Sequence, residues 1–251
     1  MSRLFWLNDE QWAAMEPFMP KNQPGARRGD DRRVISGIIH VLKSGCRWID
    51  CPREYGPHTT VYNRCNRWSR KRFWTGLLDA FASAGAAKGS ASLDSTCIKA
   101  QRAAFGGKGG PKAQDIGPSR GGQTTKLHAL TDVIGRPFVL RLTPGNVADV
   151  KAAPLFADAI RGASFLIADK GYDANSFRSS PREAGARPVI PGRSNRKRPI
   201  EYDKERYRNR HLIENAFRRL KDFGRIATRY DKLSRNFLSA AALATLVAFS
   251  I

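Results

Sequence analysis

No apolar run in the 251-residue chain reaches the roughly 18–20 residues that a membrane-spanning helix needs. The longest, residues 238–251, is too short, which excludes a helical membrane protein. The N-terminus lacks the apolar stretch of a secretory signal, so a cytosolic protein is expected. Cysteine is scarce: Cys46, Cys51, Cys65 and Cys97 form no paired C-x2-C units. That spacing argues against a zinc site, although His40 and His58 lie nearby, and reduced thiols are expected. The most telling shortage is of acidic residues. Asp and Glu total 22 against 44 Lys and Arg, a net charge of +22. A compact chain holding that charge repels itself and points to a polyanionic partner, with nucleic acid the best fit. With 10% aromatic and 41% hydrophobic residues, a disordered basic tail is excluded and a real core is expected.

Residues 1–85 read as a small all-helical domain. Asn8-Asp9-Glu10 can cap a first helix, ended near Pro17 and Pro20, and a Pro/Gly/Arg loop follows at 23–29. Asp30 or Asp31 can cap a second helix carrying Val34, Ile38, Val41 and Leu42, stopped by Ser44-Gly45. A third helix begins near His58, with Tyr62, Cys65 and Trp68 expected on one side and Arg64 and Arg67 on others. A fourth spans about 73–84. Helices joined by turns, one of them rich in Arg, resemble a helix-turn-helix DNA reader, so Arg64 and Arg67 are expected to contact DNA.

Residues 86–251 read as an α/β domain. Strands are expected at 91–98, 124–131, 137–142, 164–168 and 187–190, with a basic glycine-rich loop at 106–122. Helices are expected at 149–160, 172–184 and from about Asp203 to 223. The first three strands suit an antiparallel meander and the last two parallel crossovers, giving a mixed five-stranded sheet in the order of the ribonuclease-H-like fold.

Three acids sit where structure alone would not put them. Asp94 interrupts an apolar strand, Asp169 directly follows the strand Phe165-Leu166-Ile167-Ala168, and Glu214 lies mid-helix between Ile213 and Ala216. Each has a bland reading: an edge-strand residue, a helix cap, a surface residue. Together, on neighbouring strands and a packed helix, they make a hard oxygen cluster suited to Mg²⁺ or Mn²⁺. Two such ions can clamp an in-line phosphoryl displacement. Tyr207, Arg210, Glu214, Arg218 and Lys221 are spaced for one stripe of the last helix, with the cations suited to phosphate contact. Asp173 is read as a local hydrogen-bonding residue.

At these residues the chain resembles the DDE transposases of insertion sequences, in the group called insertion-sequence-four and insertion-sequence-five-like. Their signature Y-x2-R-x3-E-x6-K is matched by Tyr207, Arg210, Glu214 and Lys221, and D-x-G-Y by Asp169, Gly171 and Tyr172. The segments 121–132 and 143–149, and Ser44-Gly-Cys-Arg-Trp48, also look like the family. The resemblance implies a ribonuclease-H-like catalytic domain in which Asp94, Asp169 and Glu214 hold two Mg²⁺ (or Mn²⁺) ions. It implies DNA cleavage and strand transfer at terminal inverted repeats, with Tyr207, Arg210 and Lys221 positioning DNA. Its partners would be double-stranded transposon-end and target DNA, bound by a homodimer or higher oligomer at the bacterial nucleoid, away from membranes. A nuclease of the same fold, or a catalytically silent or domesticated DNA-binding descendant, would be the alternative.

Overall fold

The computed structural model describes residues 3–20, 30–84 and 89–251. The loop expected at 23–29 and the expected division at 85/86 lie outside the described residues. Four helices come first: α1 (Asp9–Met15), α2 (Asp31–Ser44), α3 (His58–Arg70) and α4 (Phe73–Ala84). Asn8 caps α1 in a reciprocal box with Gln11, and Asp30 caps α2 by accepting from Arg33 N. Gly45, at φ 75°, ends α2 in the left-handed conformation that a side chain would oppose. On α3 the buried residues are Val61, Cys65, Trp68 and Ser69, while Tyr62 stands outside them, 39% exposed. The expectation that Tyr62 shares their side is corrected: it falls one position round from Val61, which takes the core-facing place.

The remaining strands are β1 (Gly89–Ala100), β2 (Gly117–Ser119), β3 (Gly122–Thr131), β4 (Pro137–Pro144), β5 (Ala163–Ala168), β6 (Arg187–Val189) and β7 (Thr228–Arg229). The remaining helices are α5 (Gly110–Ala113), α6 (Asp149–Ala152), α7 (Ala157–Ile160), α8 (Asn175–Glu183), α9 (Lys204–Arg208), α10 (His211–Lys221), α11 (Gly224–Ala227) and α12 (Ser234–Phe249). The strands form one mixed sheet. β3 pairs antiparallel with β1, β2 and β4, while β5 runs parallel to both β1 and β6. Among the described residues the sheet has seven strands, not the five expected. The extra two, β2 and β7, hold three and two residues. They are too short to show a period of two, and exist because β3 and β1 offer them pairing partners.

Strand alternation divides the core. Ile98, Leu127, Ala129 and Leu140 face one cluster, shared with α2, α3, α4, α10 and α12. Leu93, Leu130, Val139 and Leu166 face the other, with Phe156, Tyr172 and Phe177. α12 is buried nearly all round, its Ala240, Ala241, Ala242 and Ala244 allowing close approach by α4, α3 and β4. Among the described residues, no helix is long and apolar enough to cross a membrane.

The helix expected from about 203 to 223 is two helices. Between α9 and α10, three bonds of the tighter i→i+3 kind replace the α-helical ladder: Asn209 N to Arg206 O, Arg210 N to Tyr207 O, and Leu212 N to Asn209 O. Asn209, a residue favoured where helices end, sits at this joint.

Candidate active site

Asp94 lies in mid-β1, on the same face as Ile98 and towards α10. Its neighbour Leu93 pairs with Ala168 in parallel register, so Asp94 and Asp169 come next to each other at the end of that pairing. Adjacent strands are roughly 4.8 Å apart, which places the two acids side by side. Burial pushes the Asp94 carboxyl up to about 6. The Ser95 backbone N–H, donating at 2.8 Å, and the Arg210 charge oppose this, while Asp169 and Asp149 add to it.

Arg210 joins the site together. Its Nη1 donates to Asp94 Oδ2 at 2.7 Å, across 116 residues of sequence, and its Nη2 donates to Glu214 Oε1. One guanidinium therefore spans the strand-borne and the helix-borne acid, as its planar fork of donors permits. Tyr207 is half-buried next to this group, with Arg210 6.0 Å from its ring centroid. Burial raises the Tyr207 phenol above its ordinary value, opposed by Arg210 and reinforced by Asp169 and Asp94, so its hydroxyl stays neutral.

Asp169 accepts from Gly171 N at 2.8 Å. A Cβ on Gly171 would meet that same Oδ1 at 2.8 Å, which accounts for glycine at this place in the turn. Asp173 is turned away from the site. Burial disfavours its charge, but Arg196, the Arg193 backbone N–H and Arg178 hold its carboxyl well below the usual range.

Sequence reasoning missed what lies under β1. Ser95, on the opposite face from Asp94, donates from Oγ to Asp149 Oδ1 at 2.7 Å. Lys126 Nζ donates to the same oxygen at 3.0 Å and to Val147 O at 2.8 Å. The 143–149 segment was the available signal, but spacing alone could not tell that its Asp would brace the strand bearing Asp94.

The expected DNA-contacting residues divide. Tyr207 and Arg210 gather with Asp94, Asp169 and Glu214. Arg218 and Lys221 are exposed further along α10, Arg218 donating to Asn215 Oδ1 at 3.3 Å. Arg67 is exposed on α3. Arg64 is committed to the fold, paired with Asp31 with both side chains 11% exposed, and lies 5.2 Å from the Trp68 ring centroid. The oxygens accepting from Arg210 are carboxylate oxygens, which suits a hard divalent ion in chemistry. Among the described residues, however, no three metal-ligating side chains stand close enough together to hold one as they are. The cation at Asp94 and Glu214 is Arg210.

Comparison with known proteins is consistent in kind. Residues 7–78 match the family described as "Putative transposase of IS4/5 family", and residues 88–249 match "Transposase DDE domain". A putative transposase for insertion sequence element IS6501 from Brucella ovis is 36% identical over 125 residues, covering 48% of this chain and 94% of that protein. A putative transposase for IS402 from Burkholderia cepacia is 30% identical over 135 residues, covering 49% of this chain and 62% of that one. A chain in a pre-cleavage Mos1 transpososome aligns over 94% of this chain and 83% of its own. Its TM-score is 0.26 and its identity 11%, too distant to support any argument. With the DDE-domain match running through most of its length, the chain belongs to the insertion-sequence transposases that carry a DDE domain.

Proposed function

We propose that this protein cleaves DNA at the terminal inverted repeats of an insertion sequence and transfers the freed ends to target DNA, using a ribonuclease-H-like arrangement of Asp94, Asp169 and Glu214. The observation that carries this reading is the single Arg210 guanidinium bonded to both Asp94 and Glu214. That two acids remote in sequence face one cation supports this reading.

Asp94, Asp169 and Glu214 would hold two Mg²⁺ or Mn²⁺ ions, which when bound supply Lewis-acid activation of the attacking hydroxyl and stabilise the leaving oxygen. For that, Arg210 must release Asp94 and Glu214, and its guanidinium is then free for bidentate contact with a phosphate. Tyr207 offers a neutral hydroxyl beside it. Lys221 and Arg218 extend the positive surface along α10, and Asp149 with Lys126 steadies β1 from below. Residues 1–85 would supply further duplex contacts, with Arg67 exposed for that purpose, and residues 86–251 the chemistry. Two or more copies would bring two transposon ends together.

Asp94→Asn, Asp169→Asn and Glu214→Gln are each expected to abolish strand cleavage while duplex binding is largely retained. Cleavage at the parent rate by any of these variants refutes the assignment. One observation favours a second reading, a catalytically silent DNA-binding descendant: the absence, among the described residues, of a ready-made three-ligand metal group. Titration with Mn²⁺ in the presence of duplex separates the two, since a silent protein takes up none at these acids.

A further inference from the structure

A cavity of about 610 Å³ lies beyond the C-terminal end of β1, between the Trp48–Asp50 turn, the start of α3, the 106–108 loop and residues 230–236. It is separate from the acids: β1 alone runs about 20 Å from Asp94 to Ala100 at roughly 3.3 Å per residue. Its volume falls in the range of roughly 300–1,000 Å³ typical of small-ligand sites.

Its walls combine aromatic rings with cations. Tyr62 and Tyr230 are 39% and 37% exposed. Trp48 stands edge-on to Tyr62 at 5.5 Å. Arg225 lies between Trp48 and Tyr230, 5.4 Å from each ring centroid. Its Nη1 donates to Cys46 O, its Nη2 is 3.6 Å from Asp231, and its buried Nε has no partner among the described residues. Asn236 also lines the cavity with a buried, unpartnered Oδ1. Exposed Lys232 and Lys108 stand at the edge, and Gly107 is required there, because a Cβ would meet Lys232 O at 2.6 Å.

Partly exposed aromatic rings, with an arginine against one of them and lysines alongside, are the means by which proteins hold unstacked bases. A paired duplex hides its base faces, so it can use the lysines but not the rings. A second copy of this chain is a poor occupant here, because its +22 charge would meet Lys108, Lys232 and Arg225 with no phosphate between them. We propose that this cavity takes an unpaired base of DNA, stacked on Tyr62 and Tyr230, with Lys232 and Lys108 on its neighbouring phosphates. This does not rest on the metal-dependent chemistry of the acids.

The test uses the full chain at about 0.2 M salt, where general phosphate attraction is weakened. The probe is a single strand of about ten thymidines with 2-aminopurine at its centre, against a duplex of equal length. The parent is expected to bind the single strand with quenched 2-aminopurine emission. The Tyr62→Leu/Tyr230→Leu double variant should lose about tenfold or more of that affinity and the quenching, with duplex affinity unchanged. Tyr62→Phe/Tyr230→Phe should keep both. Lys232→Gln leaves the rings intact and should lower the salt slope of single-strand binding by about one. The proposal is overturned if the leucine variant binds the single strand as tightly as the parent. It is equally overturned if single-strand and duplex affinity fall in parallel, or if that variant alters only self-association, which would mark a protein-docking surface.

Discussion

Asp173 shows how little a residue's neighbourhood in sequence says about its role. It follows Asp169 closely, yet its fully buried carboxylate faces Arg178 at 2.8 Å and Arg196 at 2.6 Å. Sequence reading gave it a local hydrogen-bonding role, but its partner Arg196 lies in a distant loop that no local pattern could supply. Removing its charge would leave two guanidinium groups without an anion, one of them buried. Asp173→Asn is expected to cost about 3–5 kcal/mol in urea denaturation. Because folding depresses this acid's pKa, its contribution is present above the ordinary unfolded value of 3.8 and is lost as pH falls below it. Parent stability should therefore drop below about pH 4 by more than that of the variant. The acids at the candidate site were legible for a different reason: each breaks the expectation for its element.

At the level of elements, caps and long strands could be read in advance because their causes are local. Asn8, Asp30 and Gly45 act on the turns next to them. The β2 and β7 pairings and the joint between α9 and α10 could not, since they depend on what the rest of the fold presents. Tertiary approach also decides Gly224, at the start of α11. A Cβ there would lie 2.9 Å from Gly45 Cα and 3.0 Å from Gly45 N, backbone atoms at the end of α2 that cannot step aside. Gly224→Ala is expected to destabilise the protein by about 1–3 kcal/mol, seen as a lower thermal midpoint. An unchanged midpoint would mean that the two helix ends are not pressed together.

For the whole molecule, charge was the most legible property, because it is a sum and needs no geometry. DNA affinity should fall steeply with salt, by about 0.9 of a decade per decade of salt for each phosphate neutralised. Lys221→Gln should flatten that slope by about one if α10 lies along the backbone. The shared core was not legible. Sequence reading divides the chain at 85/86, but α12 packs on α3, α4 and β4 together, so the helices before the sheet and the sheet itself bury their apolar faces against one element.

With its own guanidinium seated between Asp94 and Glu214, the protein already supplies a counter-charge to both acids. On the proposed reading, a lone magnesium ion arriving from solution would meet a competitor already tethered in place. A nucleic-acid strand changes that contest by offering the arginine somewhere else to go. On the proposed reading, metal and DNA should load as a pair, and an enzyme able to damage its host's chromosome would stay unarmed until the strand it is meant to cut has arrived.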